Sequence, residues 1–345
     1  MPRIESLRGV LYVSLKKNHQ LFRKIFLSDI KEFFGIMTRL KEINFMTANI
    51  IDGKSIAQET IAQIKESISK NIKQGLNVPG LAVVIVGDNP ASMIYVRNKR
   101  IACKEAGIKS YDHDLPIDIS EEELINLVQS LNNNPEVHGI LVQLPLPDHI
   151  NETKIIESID PIKDVDGFHP YTIGRLMQRI PVLRPCTSIG VITMLDSIGV
   201  DPIGKHAVIV GASNLVGRPL ALELLLRGAT TTVCHKFTKD LESFVNQADI
   251  LAVAVGKADL IPGSWIKKDA IVFDIGINRN KDGKVTGDID FEAAKEKASW
   301  ISPVPGGVGP MTVAMLLKNT LIASTINSNN EKRERKISSD KWIKV

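Results

Sequence analysis

"KHAVIVGASNLVGRPLALELLLRG" (Lys205–Gly228) is the stretch that decides the fold. "KHAVIVGA" reads as a buried strand, since its Val and Ile run on without polar alternation, and "VGRPLALELLLRG" reads as a helix. At the join, Gly211 permits a tight turn and Gly217 permits close backbone approach. Free N–H groups of the new helix then face an anion such as a pyrophosphate. The spacing across Gly211, Ser213 and Gly217 is GxSxxxG rather than GxGxxG, so a purely structural glycine turn is the competing reading.

The next strand narrows the choice of anion. A site for NAD places Asp or Glu at that strand's end, on the ribose 2′-hydroxyl. "TTTVCHKFT" instead supplies His235 and Lys236. A cation there suits a 2′-phosphate and favours NADP, the alternative being a solvated loop lysine. Beyond it, "LESFVNQA" reads as a helix, with "DILAVAVG" and "AIVFDIGI" as further strands. This is a Rossmann-like mononucleotide-binding series, and its apolar strands imply a parallel sheet covered on both faces.

A second alternating series precedes it. "GKSIAQETIAQIKESISKNIKQG" has helical periodicity, "GLAVVIVGDNP" is an apolar strand and "ASMIYVRNKRIACKEAGI" a helix. "EEELINLVQSLNNN" and "VHGILVQLPLP" repeat the alternation. The fold class is therefore α/β, with two α/β domains flanking a cleft. The first domain is expected over 46–168, with a returning helix over 311–326. The second, a parallel-sheet domain of Rossmann-like form, is expected over 169–310.

Charge is unevenly spread. Of the net +4, residues 1–45 carry +5 and 331–345 carry +3, leaving −4 on the body between. A nucleic-acid enzyme places its basic excess on the folded body, so no nucleic-acid partner is expected. Residues 1–45 read as an extension outside the compact fold, with Met46 as its start. A mitochondrial presequence is the other reading, against which Glu5, Asp29, Glu32 and Glu42 count. Residues 327–345 read as a charged disordered tail. No apolar run reaches spanning length, so no membrane partner is expected. Cys103, Cys186 and Cys234 form no CxxC, which favours a reducing, cytoplasmic setting over a disulfide framework. The seven histidines are scattered, so no metal site is expected.

Ligands of open α/β sheets sit beyond the carboxyl ends of the strands. Gln143 ends one such strand, and "KDVDGFHP" presents Asp164 and Asp166. On the helix after Gly87, Tyr95, Lys99, Ala102 and Ala106 share one stripe, while Arg97, Arg100 and Lys104 share another, solvated one. A lysine among small core-facing residues is out of pattern. Burial would suit it to act as a base, and snorkelling to water is the equal alternative. "ISPVPGGVGPMT" (Ile301–Thr312) is a constrained loop suited to contacting a flat ligand.

Taken together, "IIDGKSIA", "YVRNK", "GILVQLPLP", "KDVDGFHP", "LRPCT", "GASNLVGRP", "DIGINR", "GDIDF" and "PVPGGVGPMT" resemble one family. It is the bifunctional methylenetetrahydrofolate dehydrogenase/methenyltetrahydrofolate cyclohydrolase family, matched in order from Ile50 to about Ala323. The resemblance implies oxidation of 5,10-methylenetetrahydrofolate with NADP, then hydrolysis of the methenyl product to 10-formyltetrahydrofolate. It implies tetrahydrofolate derivatives as partners, a place in one-carbon metabolism and purine biosynthesis, and a homodimer. By the family's pattern Lys99 is catalytic, with Tyr95, Gln143 and Asp166 beside it and Ser92 in the same pocket. Gly306, Gly307 and Pro310 line the cleft. Gly211, Ala212, Ser213, Gly217, Arg218, His235 and Lys236 hold NADP, with Ile277 near its nicotinamide. Three positions depart from the pattern. Ile101 stands where many members have a second lysine, Ser188 replaces a common proline, and Ala212 stands where some members have an arginine for the 2′-phosphate. Another two-domain NAD(P)-dependent dehydrogenase of hydroxy- or amino-acids is the competing enzyme, and a nucleotide-binding interaction protein the non-catalytic alternative. No GxxxxGK[ST] is present, so a fused ligase is not expected.

Overall fold

The apolar runs form two parallel sheets in the computed structural model, which describes residues 47–279 and 283–341. The expected extension over 1–45 lies outside the described residues. The chain enters as β1 (Asn49–Ile50), α1 (Gly53–Lys73), β2 (Gly80–Val86), α2 (Pro90–Ala106), β3 (Lys109–Leu115), α3 (Glu121–Asn133) and β4 (Gly139–Val142). It continues as α4 (Glu152–Ser158), α5 (Pro170–Met177), α6 (Cys186–Ser197), β5 (His206–Val210), α7 (Gly217–Leu226), β6 (Thr230–Cys234), α8 (Leu241–Val245) and β7 (Ile250–Val253). β8 (Ile271–Asp274), β9 (Asn278–Arg279), β10 (Val285–Thr286), α9 (Phe291–Lys295), β11 (Trp300–Ile301) and α10 (Val308–Lys341) complete it.

The first sheet has the order β3-β2-β4, and every residue of its central strand β2 is buried. The second has the order β1-β11-β8-β7-β5-β6, all pairs parallel. β9 and β10 form a small antiparallel hairpin. Helix starts follow their caps: Asp52 accepts from Ser55 N at 3.1 Å, and Ser120 and Glu123 close a capping box on α3. At the other end of α3, Lys163 Nζ donates to the carbonyls of Leu131, Asn132 and Asn134 at 3.1, 2.7 and 2.9 Å. Those are orphan acceptors at the negative end of the helix.

Three features differ from the sequence reading. Asn49–Ile50 falls within the range expected for the first domain, yet it pairs with β11 and extends the second sheet. Two residues carry too little pattern to show a pairing partner. β3, "KSYDHDL", is an edge strand whose charges keep that edge from pairing further. α10 packs on α1 and α6, as a returning helix should, but its backbone stays helical to Lys341. The tail expected to be disordered from 327 is therefore helix that far. Beyond Pro310 it contains no Pro or Gly and is rich in Glu, Lys and Arg, all good helix formers.

Glu223 is 0% exposed in α7, where Arg218 is the one other charged residue. Arg184, in the segment before α6, donates through Nε at 2.9 Å and through a second nitrogen. Burial pushes the Glu223 carboxyl up, and the guanidinium opposes that shift. Arg184→Met should cost about 3–5 kcal/mol at neutral pH by leaving the carboxylate unpaired. The loss should shrink as pH falls and Glu223 takes a proton, which urea denaturation at two pH values measures.

Candidate active site

α2 carries the stripe anticipated for it. Ser92, Lys99, Ala102 and Ala106 are buried and Tyr95 half-buried. Lys99 is only 6% exposed, so it does not snorkel to water, and its Nζ donates to Gln143 Oε1 at 3.0 Å. Gln143 directly follows β4. Its N donates to Val84 O at 2.8 Å, and its Nε2 donates to Leu144 O at 2.6 Å. With the amide nitrogen so occupied, Oε1 is turned to the ammonium. Arg97 and Lys104 are exposed as expected. Arg100 is not simply solvated: its Nε reaches Asp112 at 3.1 Å and its other nitrogens bond Asp114, tying α2 to β3. Ile101, in place of the family's second lysine, is exposed.

The two aspartates of "KDVDGFHP" separate into different tasks. Asp164 is buried, and its oxygens accept from Gly167 N, Phe168 N, His169 N and Thr172 Oγ1 at 2.7–3.1 Å. It shapes the loop. Asp166 is thereby held where burial raises its carboxyl above the usual range, with the Lys99 charge opposing that shift. Behind it, Cys186 Sγ donates to Val165 O at 3.1 Å. Asn319 of α10 donates to Val165 O and Arg184 O, both at 2.8 Å. The returning helix thus clamps the loop that carries Asp166.

A cavity of about 730 Å³ opens at Tyr95, one turn from Lys99 on α2, while Ser92, Lys99, Gln143 and Asp166 are not among the residues that line it. Tyr95, Ile277, Gly306, Gly307 and Pro310 all line it. Burial raises the Tyr95 phenol, and the charge of Arg279 opposes the shift. Lys54, Arg279 and Asp274 also line the cavity, and the sequence reading had not singled them out. Their signal was present in the motifs "IIDGKSIA" and "DIGINR". Gly53 is required there, because a Cβ would stand 1.8 Å from Gly307 O. That approach lets Lys54 N donate to Gly306 O at 3.0 Å.

The expected cofactor residues lie at the carboxyl ends of β5 and β6. Gly211 has φ +116°, and a Cβ on it would meet Ala254 O at 2.2 Å. Gly217's close approach is to Gly211 O, where a Cβ would stand at 1.8 Å. The resulting tight strand–turn–helix fits a dinucleotide pyrophosphate. Not all the helix N–H groups are free to face it: Ser213 Oγ accepts from Val216 N at 3.1 Å and Gly217 N at 3.4 Å. Orphan donors at a helix start take the nearest acceptor. Ala212 is half-buried in the turn, and His235 and Lys236 are exposed beyond β6. Arg218 stands apart, bonding Asn214 and lining a separate groove with Phe168, Met177 and Leu222. Asp288 orders the neighbouring loop, accepting from Val255 N, Gly256 N, Lys257 N and Asn278 Nδ2 at 2.6–3.0 Å.

Two family models match the chain. Residues 51–166 match the catalytic domain of tetrahydrofolate dehydrogenase/cyclohydrolase, and residues 185–328 match its NAD(P)-binding domain. Among solved structures, the bifunctional methylenetetrahydrofolate dehydrogenase/cyclohydrolase of Campylobacter jejuni is 48% identical at a TM-score of 0.79, covering 81% of this chain and 99% of its own. The Trypanosoma brucei enzyme, solved with NADP and an inhibitor, is 36% identical at 0.78, covering 81% and 98%. The Thermoplasma acidophilum bifunctional enzyme is 35% identical at 0.77, covering 81% and 100%.

Asp274, at the end of β8, gives the cleft a pH signature. Burial and the nearby Asp288 charge push its carboxyl up to about 7, against three backbone N–H bonds that lower it. The folded chain therefore holds a proton that the unfolded chain has already released, so this group's contribution to stability falls as pH rises from about 4 to 7. Thermal melts across that range should show a downward slope with rising pH that is flattened in Asp274→Asn.

Proposed function

Because the chain belongs to the tetrahydrofolate dehydrogenase/cyclohydrolase family, we propose that its cleft around Lys99 carries out both reactions of the bifunctional enzymes. 5,10-Methylenetetrahydrofolate is oxidised with NADP, and the methenyl product is hydrolysed to 10-formyltetrahydrofolate. The observation that carries the reading is the hydrogen bond from buried Lys99 to half-buried Gln143, with Asp166 close enough for its carboxyl to feel the lysine's charge.

When bound, the nicotinamide supplies a hydride acceptor. The residues at the carboxyl ends of β5 and β6 would hold the rest of the dinucleotide: Gly211, Ala212, Ser213 and Gly217 at the pyrophosphate, His235 and Lys236 at the ribose. Ile277 lies on the cleft side. Loss of hydride leaves a cation spread over two substrate nitrogens, so this step needs orientation rather than an acid or base. Asp166 accepts hydrogen bonds from the pterin, while Tyr95, Ser92, Gly306, Gly307 and Pro310 hold the substrate's position.

Hydrolysis needs proton transfer. Water adds to the methenyl carbon and its first proton passes to Lys99. As the bond from that carbon to N5 breaks, Lys99 returns the proton to N5. The hydroxyl on the carbon releases its own proton to solvent water and becomes the formyl oxygen, so one proton is set free overall. Gln143 Oε1 holds the lysine nitrogen on line throughout.

The finer expectations rest on the same reading. Residues 51–168 with the returning helix 311–326 form the folate-binding domain, and 169–310, joined by β1, the NADP-binding domain. The formyl product suits purine biosynthesis, and the three buried free cysteines suit a cytoplasmic setting. No helix among the described residues is long and apolar enough to cross a membrane. A homodimer is supported by β6, which lies at the margin of its sheet with Val233 exposed, beside exposed Leu225. Sedimentation equilibrium should give twice the chain mass; a monomer at micromolar concentration refutes it.

The decisive experiment is the paired assay on the purified chain with methylenetetrahydrofolate and NADP. Absence of methenyl absorbance would sink the proposal in favour of another dehydrogenase. Lys99→Met should lower hydrolysis of the methenyl compound by about 10²-fold or more, with the circular dichroism spectrum unchanged. Retained hydrolysis in that variant would remove Lys99 from the mechanism.

A further inference from the structure

β6 ends at Cys234, and His235–Thr238 form a turn closed on itself. Thr238 N donates to His235 O at 2.8 Å, and His235 N donates to Thr238 Oγ1 at 2.9 Å. Phe237 N donates to His235 Nδ1 at 3.2 Å. Three internal hydrogen bonds fix the directions in which this turn presents its side chains. Because Nδ1 accepts, the neutral imidazole carries its proton on Nε2.

Phe237 is 75% exposed. A lone exposed apolar side chain needs no explanation, but the neighbours of this one set it apart. The Lys236 ammonium stands 5.0 Å from its ring centroid, and the His235 ring meets it edge-on at 5.8 Å and 75°. An aromatic face attracts a cation through its quadrupole. Lys236 would otherwise sample many positions on its four-carbon stem. With the ring in so little contact with the core, packing does not account for a phenylalanine here.

We infer that Phe237 is a positioning residue for cofactor selectivity, its ring holding the Lys236 ammonium at the end of β6 where a 2′-phosphate is recognised. This rests on the reading of Lys236 as the 2′-phosphate cation. The ring restricts the lysine before the nucleotide arrives, so less freedom is lost on binding. NAD, which has no 2′-phosphate, gains nothing from the arrangement.

Steady-state dehydrogenase kinetics on the full chain, with NADP and with NAD, test the inference in Phe237→Ala, Phe237→Leu, Phe237→Tyr and Lys236→Ala. The exposure of both positions leaves the fold intact in each variant. An exposed cation–π contact corresponds to about a two- to fivefold effect on affinity. Phe237→Ala and Phe237→Leu should raise KM for NADP by that factor and leave kcat and the KM for NAD unchanged. Phe237→Tyr, which keeps the ring, should behave as the unaltered chain does. Lys236→Ala should lower NADP preference, and adding Phe237→Ala to it should change nothing further. If Lys236→Ala lowers the preference while Phe237→Ala or Phe237→Leu does not, the inference fails and the Lys236 reading stands. If Lys236→Ala leaves the preference unchanged, both fail. Equal losses with NADP and NAD would mark Phe237 as merely structural and also overturn it.

Discussion

A lysine ammonium withdrawn from water must be met by polar groups, because an unpaired buried charge costs several kcal/mol. Much of the first domain answers that requirement at Lys99. Small residues on the α2 stripe, Ala102 and Ala106, let the helix lie close enough to β2 for the lysine to be covered. β4 stops one residue before Gln143, whose main chain is pinned to Val84 and whose amide is turned by Leu144 O. The ammonium therefore meets an oxygen that has little freedom to leave.

Buried carboxylates do comparable work for the loops. Asp164 gathers donors from Gly167 to Thr172, and Asp288 gathers those of Val255 to Lys257. The second loop follows β7, where an open α/β sheet binds its ligands, and the first follows an isolated bridge between Asp164 and Ile140 of β4. A carboxylate that accepts several backbone N–H groups fixes a loop without a regular element, as a charge-assisted bond is stronger than a neutral one. In each case the aspartate itself is buried. Arg184 and Glu223 apply the same economy between the segment before α6 and α7.

How legible this was depends on whether a residue's partner was close in sequence. Strands β2, β4, β5, β7 and β8 were visible as apolar runs, and Lys99 stood out because helical spacing is local. The contrast between Asp164 and Asp166 was not readable, since two residues of one type at i and i+2 carry no sign of which turns inward. Lys54 was missed because its place in the cavity depends on Gly53 meeting Gly307, a long-range fact, and Arg279 because the two-residue strands β9 and β10 carry too little pattern to show their hairpin. Arg100 was misread for the same reason: its acids lie on β3, beyond the reach of helical spacing. Ser213 is a subtler case. The glycines announced a helix start aimed at an anion, but a hydroxyl in the same motif already serves two of its N–H groups.

On the proposed function, the two sides of the cleft differ in a way that would follow the two steps. A hydride carries its own electron pair, so the surface where it moves needs shape and little acid–base chemistry. Ile275, Ile277, Val285, Pro303 and Val304 supply an apolar wall of that kind from the second domain. Water addition instead requires protons to be taken and returned, and the groups proposed for that task, Lys99, Tyr95 and Asp166, come from the first, while the second contributes Asp274 to the cavity. On the proposed reading, Tyr95 shares the cavity with that apolar wall, and one bound folate would present its reactive carbon to both in turn. On this reading the cleft is a single site with two faces, and the buried lysine belongs to the face whose chemistry cannot proceed without it.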